Sequence, residues 1–308
     1  MDMTPSLKKD VESLKADLFR LREEVHELRR LLTDREHPVE AMLRQRGLPV
    51  HAHGDRSHVL LPQDMNNEHG TRLYRLMQRY SFRLFLRDLI QFQEGDDHAR
   101  LARYCSLKTV RSYLKSLADM GIVETREDRS YRLLLRHISS FGPTLEWYVC
   151  EIFQREFMSP ALFGVRLQKT LHGGDYDVIA LLGGHLVYLE VKSSPPRGVE
   201  LPAVSAFLNR LTDLQPHIAA FLVDTELRMR DKIVPLFEEA FEQRESREEE
   251  HVERLVDEIF HIRHRIYLIN SRKGIYSNLR RCFRDFFLWE KKGGTMPARK
   301  PGPGRSKF

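Results

Sequence analysis

The sequence has few cysteines and no long apolar run. Its three cysteines, at 105, 150 and 282, are odd in number and widely separated, so they indicate neither a disulfide framework nor a zinc site and fit a reducing compartment. No apolar run approaches the ~20 residues of a membrane helix, and no signal-peptide core opens the chain. We therefore expect a cytoplasmic protein with no membrane partner.

A phosphate-binding motif for nucleoside triphosphates is also absent. No Gly-rich loop followed by Lys-Ser or Lys-Thr occurs, which disfavours an enzyme driven by nucleotide triphosphate. Net charge is small: the 50 basic and 44 acidic side chains give +6, and residues 291–308 alone carry six basic side chains and no acidic one. We expect this Gly/Pro/Lys-rich segment to be a disordered basic tail. Overall charge is therefore a weak indicator of a nucleic-acid partner.

Residues 5–35 contain a heptad repeat. Apolar residues alternate at spacings of four and three over four heptads, which is typical of a coiled coil; they are Leu7, Val11, Leu14, Leu18, Leu21, Val25, Leu28 and Leu32. Leucine at one seam position and valine twice at the other favour a parallel dimer. We predict a homodimer through residues 5–35; the alternative is a single amphipathic helix packed on its own chain.

Residues 36–70 are interrupted by six prolines and glycines, which predicts a linker with at most short pieces of structure. His51, His53 and His58 lie in this segment. Nothing pairs them with cysteine or acidic ligands at a recognised spacing. We therefore interpret them as part of a solvated loop rather than as a metal site.

Residues 71–136 read as a long helix over about 72–93, a short helix capped by Asp96 or Asp97, a longer helix, and a strand–turn–strand. This order, with the segment TVRSYLKSLADMGIVE, resembles a winged helix-turn-helix domain. The resemblance implies double-stranded DNA as partner, and it implies DNA-binding residues at Ser106, Lys108, Thr109, Arg111, Ser112, Lys115, Arg126 and Arg129, with Arg132 also on the wing. Residues 71–135 hold 13 basic and 8 acidic side chains, which fits phosphate contact. The alternative is a winged helix used only for protein packing.

The stretch from Gly173 to Ser194 reads as two strands joined by a tight turn at Gly183-Gly184. Counting outward from the turn places Asp177 opposite Glu190 and Asp175 opposite Lys192, all four on one face. Tyr176, Val178, Ala180, Leu189 and Val191 are expected on the other face. Carboxylates paired across strands lie roughly 5 Å apart and repel each other. A shared Mg²⁺ would offset that repulsion; the alternative is a surface hairpin with an ordinary Asp175–Lys192 pair.

Asp177 followed by a turn and Glu190-Val191-Lys192 resembles the D…(D/E)-x-K signature of the restriction-endonuclease-like PD-(D/E)xK nuclease superfamily. Tyr176 stands where the family name records a proline. The resemblance implies metal-dependent hydrolysis of phosphodiester bonds, with Asp177 and Glu190 as ligands of Mg²⁺ (or Mn²⁺) and Lys192 assisting the attacking water. Glu146, in the opening helix after Gly142, matches a further acidic position of Mrr-type members, and Glu151 is the fallback.

We therefore predict an α/β (α+β multidomain) protein whose nuclease-like domain spans residues 141–290 with an αβββαβ core. After the core, residues 226–243 and the acidic segment 238–263 are expected to be helical, 266–269 a strand, and 276–289 a final helix. The predicted function is a homodimeric DNA endonuclease in which Asp177, Glu190, Lys192 and Glu146 are catalytic. The alternatives are a non-catalytic DNA-binding regulator and a nuclease acting on RNA or single strands. Nicking and double-strand cutting are both allowed.

Overall fold

The computed structural model describes residues 13–24, 36–61, 67–126, 130–244 and 251–294. Residues 13–24 are helical (α1). The helices that follow are α2 (Pro38–Gln45), α3 (Asn67–Met77), α4 (Tyr80–Phe92), α5 (Leu107–Asp119), α6 (Gly142–Glu156), α7 (Leu201–Leu214), α8 (Ile233–Glu242) and α9 (Ile275–Lys291). The strands are β1 (Val50–Ala52), β2 (Glu94–Gly95), β3 (Val123–Thr125), β4 (Tyr131–Leu133), β5 (Ala161–Leu167), β6 (Asp175–Leu182), β7 (His185–Lys192), β8 (Ile218–Val223), β9 (Glu253–Val256), β10 (Ile259–Ile262) and β11 (Ile266–Asn270).

A mixed eight-stranded sheet forms the centre of the molecule, in the order β1-β5-β6-β7-β8-β11-β10-β9. Strands β7, β8 and β11 are parallel to one another, and the remaining neighbours are antiparallel. The central strands carry apolar residues on both faces because helices cover both: α6 and α9 pack on one, α2, α7 and α8 on the other. The predicted order helix, three strands, helix, strand over residues 141–225 is present as α6-β5-β6-β7-α7-β8.

Residues 36–61 belong to this layered unit, which differs from the linker expected from their prolines and glycines. In α2, Val39 and Leu43 are fully buried in the core between helices and sheet. Strand β1 pairs with β5 and forms one edge of the sheet. The coiled-coil prediction extends beyond the described residues on both sides; within α1, Leu14, Leu18 and Leu21 are exposed.

Helices α3, α4 and α5 and the small sheet β2-β4-β3 form a second unit, whose core is continuous with the α6 side of the large sheet. The single helix expected over 72–93 is two helices. Arg79 adopts an extended backbone (φ −87°, ψ 122°), which ends α3 and starts α4. Asp97, one of the two predicted capping residues, accepts a hydrogen bond from Ala99 N at 3.0 Å.

The acidic segment 238–263 is only partly helical, in contrast to the sequence prediction. Helix α8 ends at Glu242, and β9 and β10 form an antiparallel hairpin. All four residues of β10 are buried, so this short strand lacks the alternation of apolar and polar residues from which a strand is predicted. Strand β11 and helix α9 lie where they are expected. Among the described residues, none of the helices is both long and apolar enough for a membrane span.

Candidate active site at the end of the central strands

The hairpin β6–β7 has the register predicted from its Gly-Gly turn. Gly183 and Gly184 have φ angles of +57° and +83°, and the pairs run from Leu182–His185 to Val178–Leu189. Just beyond the last pair, Val191 N donates a hydrogen bond of 2.6 Å to Asp177 Oδ2. The turn therefore brings Asp177 beside the Glu190–Lys192 segment at one end of the sheet.

The alternation of faces is broken near Asp177. The ladder between β5 and β6 is interrupted between the pairs Phe163–Val178 and Val165–Tyr176, where Gly164 has a positive φ of +55°. Tyr176 was expected on the face of Val178 but lies in the opposite core, its ring 5.3 Å from that of Tyr188. A regular strand places residues two apart, such as Tyr176 and Val178, on the same face. Strand β6 is therefore twisted at Asp177, the candidate metal ligand that lies between them.

Asp175 does not face Lys192. It pairs with Arg166 on β5, whose Nε lies 2.8 Å from Asp175 Oδ1, and both side chains are exposed. Lys192 instead donates from Nζ to Glu190 Oε1 at 2.6 Å. The ordinary Asp175–Lys192 surface pair that would explain these charges is therefore absent from the described structure.

Glu190 is 2% exposed and has three partners. Lys192 binds one carboxylate oxygen; Arg210 of α7 donates to the other at 2.9 Å, and the Tyr188 hydroxyl donates to that same oxygen. Two cations thus balance this one buried carboxylate. Sequence reasoning missed Arg210 and Tyr188; the available signal was that Arg210 is the one basic residue of its helix.

The negative charges of Asp177 and Glu146 are less well balanced by neighbouring positive charge than that of Glu190. Burial, followed by the charges of Glu190 and Glu146, raises the pKa of Asp177 well above its usual range. Burial, followed by the charges of Glu190 and Asp175, raises the pKa of Glu146 to about 7. Each carboxylate therefore destabilises the ionised form of the other. The cluster is short of positive charge despite the presence of Lys192.

Of the two glutamates proposed on α6, only Glu146 reaches the cluster. Glu151 is buried and accepts a hydrogen bond from Arg155, one turn further along the same helix. Glu146 lies at the helix start, where Gly142 and Gly164 leave room for its side chain. The structure thus brings Glu146, Asp177, Glu190 and Lys192 together.

A cleft of about 450 Å³ opens beside these carboxylates. Its acidic lining residues are Asp55, Glu146, Asp175 and Asp177, and His53 and His58 from the segment after β1 also line it. These histidines were interpreted as a solvated loop. Their neighbours in the cleft come from roughly 90 to 120 residues further along the chain, so sequence spacing could not reveal the contact.

The carboxylates fit a hard divalent cation in chemical type but are not assembled as a closed site. Among the described residues, no three side chains of His, Cys, Asp or Glu are placed to share one ion. The oxygens of Glu190 are occupied by Lys192, Arg210 and Tyr188. Oxygen donors short of positive charge are nevertheless what Mg²⁺ or Mn²⁺ binds in proteins, commonly through one or two carboxylates and several waters.

The proposed DNA-contacting side chains of α5 lie on its exposed face. Lys108, Arg111, Ser112 and Lys115 are exposed, whereas Val110, Tyr113, Leu114 and Leu117 are buried. Ser106 is exposed and caps the helix, accepting a hydrogen bond from Thr109 N at 3.2 Å, and Thr109 is half-buried.

The proposed wing residues lie on the hairpin β3–β4. Arg126 is exposed, 3.8 Å from Glu124. Arg132 also binds Glu124, at 2.6 Å, so this carboxylate offsets part of the positive charge of the wing. Arg129 lies outside the described residues.

Comparison with known proteins gives only distant similarities. No protein-family model and no curated protein matches the chain. The crystal structure of protein VC1899 from Vibrio cholerae is similar over 84% of this chain and 62% of its own, with 13% identity and a TM-score of 0.46. Can2 from Sulfobacillus thermosulfidooxidans, solved in complex with cyclic tetra-adenylate, is similar over 79% of this chain and 59% of its own, with 10% identity and a TM-score of 0.42. The chain thus spans about three fifths of the length of each solved structure.

Proposed function

We propose that the chain is a metal-dependent nuclease of the PD-(D/E)xK type that hydrolyses phosphodiester bonds in DNA. The observation that carries the proposal is the convergence of four side chains at one end of the central strands, beside an open cleft: Glu146, Asp177, Glu190 and Lys192. Raised pKa values in two carboxyl groups that share a cleft are typical of a functional site, because a stable fold gains nothing from their mutual repulsion.

In this proposal Asp177 and Glu146 hold Mg²⁺ or Mn²⁺, with Glu190 available once it gives up one internal partner. An ion held by these residues would supply Lewis-acid polarisation of the phosphate and would lower the pKa of a water. Lys192 positions the attacking water and stabilises negative charge on the phosphate. Glu190 keeps the Lys192 ammonium in place through their hydrogen bond, and Arg210 and Tyr188 keep Glu190 in place.

The exposed basic face of α5 is proposed to bind duplex DNA in the manner of a winged helix, and residues 5–35 to pair two chains. Light scattering on the full chain and on residues 36–308 checks the pairing. A dimer mass for the first and a monomer mass for the second are expected, and monomer masses for both would exclude the coiled coil.

The nuclease proposal is tested by incubating supercoiled plasmid with Mg²⁺, Mn²⁺ or EDTA. We expect metal-dependent nicking or linearisation that falls about 100-fold or more in Asp177→Asn and in Lys192→Ala. Glu200→Gln, an exposed carboxylate before α7, is the matched control and should keep wild-type activity. Single-stranded DNA and RNA run in parallel distinguish the substrate class. Intact plasmid with either metal, under conditions in which the protein binds DNA, would exclude the nuclease and favour a non-catalytic regulator.

A further inference from the structure

A second, basic pocket lies at the same end of the central strands as the carboxylate cluster. Its volume is about 290 Å³, and it is formed by the loops after β8 and β11 and by the turn between β9 and β10. The charged residues that line it are four basic ones, Arg228, Arg254, Arg272 and Lys273, and two acidic ones, Asp257 and Glu258.

The two acidic residues already have partners. Asp257 Oδ2 accepts from Lys273 at 2.7 Å and from Arg281 at 3.1 Å, and these cations hold the pKa of Asp257 below its usual range. Glu258 accepts from the backbone N–H of Met229 at 2.9 Å and lies 3.8 Å from Arg254. Among the described residues, Arg228 and Arg272 have no carboxylate partner and are exposed. The pocket therefore has a surplus of positive charge.

Buried amides hold the two loops in place. Asn270 donates to Leu227 O at 2.9 Å, and Asn278 donates to the carbonyl oxygens of Asn270 and Arg272, each at 2.8 Å. Both asparagines are 1% exposed. These bonds fix the backbone that carries Arg228 and Arg272, so less conformational entropy is lost when the arginines bind a ligand. The N-terminus of α9, which begins at Ile275, adds a partial positive charge beside the same loop.

The strand register fixes the backbone separation between Lys192 of the candidate active site and Asn270, which lines the pocket. Lys192 of β7 and Asn270 of β11 are both partners of Val223 on β8, so the three lie in one row across parallel strands. Two strand spacings place the ends of this row about 10 Å apart. Asp224, which follows Val223, is bound by Arg83 and Arg87. No uncompensated carboxylate therefore separates the two sites along this row.

We propose that the pocket between Arg228 and Arg272 binds a backbone phosphate of the nucleic acid, on the same strand as the phosphate that is cut. This inference rests on the proposed nuclease function for its ligand class. A backbone separation of about 10 Å places the pocket within a few nucleotides of the cut phosphate along one strand. The pocket would then fix the position of the strand relative to Lys192 without reading its sequence.

The test is binding of a labelled 16-base-pair duplex in EDTA, where no cleavage is needed, at several salt concentrations. For Arg228→Gln/Arg272→Gln we expect Kd to rise about tenfold and the slope of log Kd against log salt to fall by about one, because one phosphate contact is lost. Lys291→Gln/Lys292→Gln removes two exposed charges about 25 Å away at the far end of α9 and is the control, with a much smaller change expected.

An unchanged Kd and slope in the arginine variant would overturn the pocket, as would an equal loss in the control. Inorganic phosphate is titrated in parallel by thermal shift. If inorganic phosphate stabilises the wild type but not the arginine variant, while both bind the duplex equally well, the ligand of the pocket is a free anion. That result would also overturn the assignment to a backbone phosphate. Cleavage plays no part in these measurements. An inactive protein whose duplex binding depends on the two arginines would refute the nuclease and leave the pocket standing.

Discussion

At the scale of single residues, the candidate site combines one carboxylate that is compensated with two that are not. Glu190 is bound by Lys192 and Arg210, whereas the pKa values of Glu146 and Asp177 are raised by burial and by neighbouring negative charge. A carboxyl group whose folded pKa exceeds its unfolded value opposes folding at pH values above that unfolded pKa. The cluster therefore costs the fold stability near neutral pH.

Replacing Glu146 by glutamine should stabilise the metal-free protein in a pH-dependent way. The folded pKa of about 7 lies above the ordinary 4.5, so wild type loses stability as the pH rises from 4.5 to 7. Urea unfolding in EDTA should show Glu146→Gln equal to wild type at pH 4.5 and more stable by about 2–3 kcal/mol at pH 8. Glu238→Gln, on the exposed side of α8, is the control. The same difference at both pH values would contradict the raised pKa.

The residues of the candidate site were predictable to the extent that they lie on one hairpin. Asp177, Glu190 and Lys192 follow from strand alternation and a Gly-Gly turn, which are local properties. The Arg166 partner of Asp175 and the Arg210 partner of Glu190 come from other elements, so no local spacing indicates them. Tyr176 was assigned to the wrong face because β6 is twisted where it passes Gly164 of the neighbouring strand β5. Nothing in the residues of β6 itself indicates this twist.

At the scale of elements, the wall of the cleft depends on a close backbone contact between the segment after β1 and strand β5. Gly54 N donates to Phe163 O at 2.6 Å. A Cβ built on Gly54 would lie 2.3 Å from the Phe163 ring and 2.8 Å from that carbonyl oxygen. On the facing strand, a Cβ on Gly164 would lie 3.1 Å from Gly54 Cα. The two glycines let the chain carrying His53 approach the sheet.

We therefore expect Gly54→Ala to cost about 2 kcal/mol or more in urea unfolding, since a backbone atom has to move to make room. Gly198→Ala is the matched control, because its added Cβ would contact only Ser194 at ordinary distances and its cost should stay within about 0.5 kcal/mol. If Gly54→Ala lowers the free energy of unfolding no more than Gly198→Ala does, the contact between Gly54 and Phe163 does not hold the segment in place.

Among the elements, those with a clear period or sharp boundaries were predicted well. The sequence predicts a helix over 201–214, which begins beside a proline, and a strand over the apolar run 218–223; α7 and β8 have these bounds. The prediction failed for residues 253–262, where acidic side chains suggested a helix and the short strands pair with each other and with β11. Pairing between neighbouring strands decided the outcome there rather than the helix preference of the acidic side chains.

At the scale of the whole molecule, the helical unit is joined to the sheet by a buried ion cluster. Asp224, fully buried after β8, accepts from Arg83 Nη2 and Arg87 Nη2 of α4, each at 2.8 Å. Arg83 also donates to Met77 O, at the end of α3. The orientation of α3 and α4 relative to the candidate active site is thus set by one carboxylate at the end of a central strand.

Asp224→Asn should lower the free energy of unfolding by about 3–5 kcal/mol, because it leaves Arg83 buried without its counter-charge. The control is Asp119→Asn, which removes the exposed partner of Arg72 and should cost at most about 1 kcal/mol. Thermal unfolding of both variants, followed by circular dichroism, provides the measurement. A loss at Asp224 no larger than at Asp119 would show that the cluster does not hold the two units together.

The placement of α2 and β1 has a consequence for how this chain can be divided. The layered unit is discontinuous in sequence: residues 36–61 supply a helix and an edge strand, the chain then builds the helical unit, and it returns at α6 to complete the sheet. A fragment starting at residue 141 would expose the edge of β5 and the apolar surface that covers Val39 and Leu43. An expression fragment intended to retain the cleft has to begin before residue 36 and has to keep the helical unit, which shares a core and the Asp224 ion cluster with the sheet.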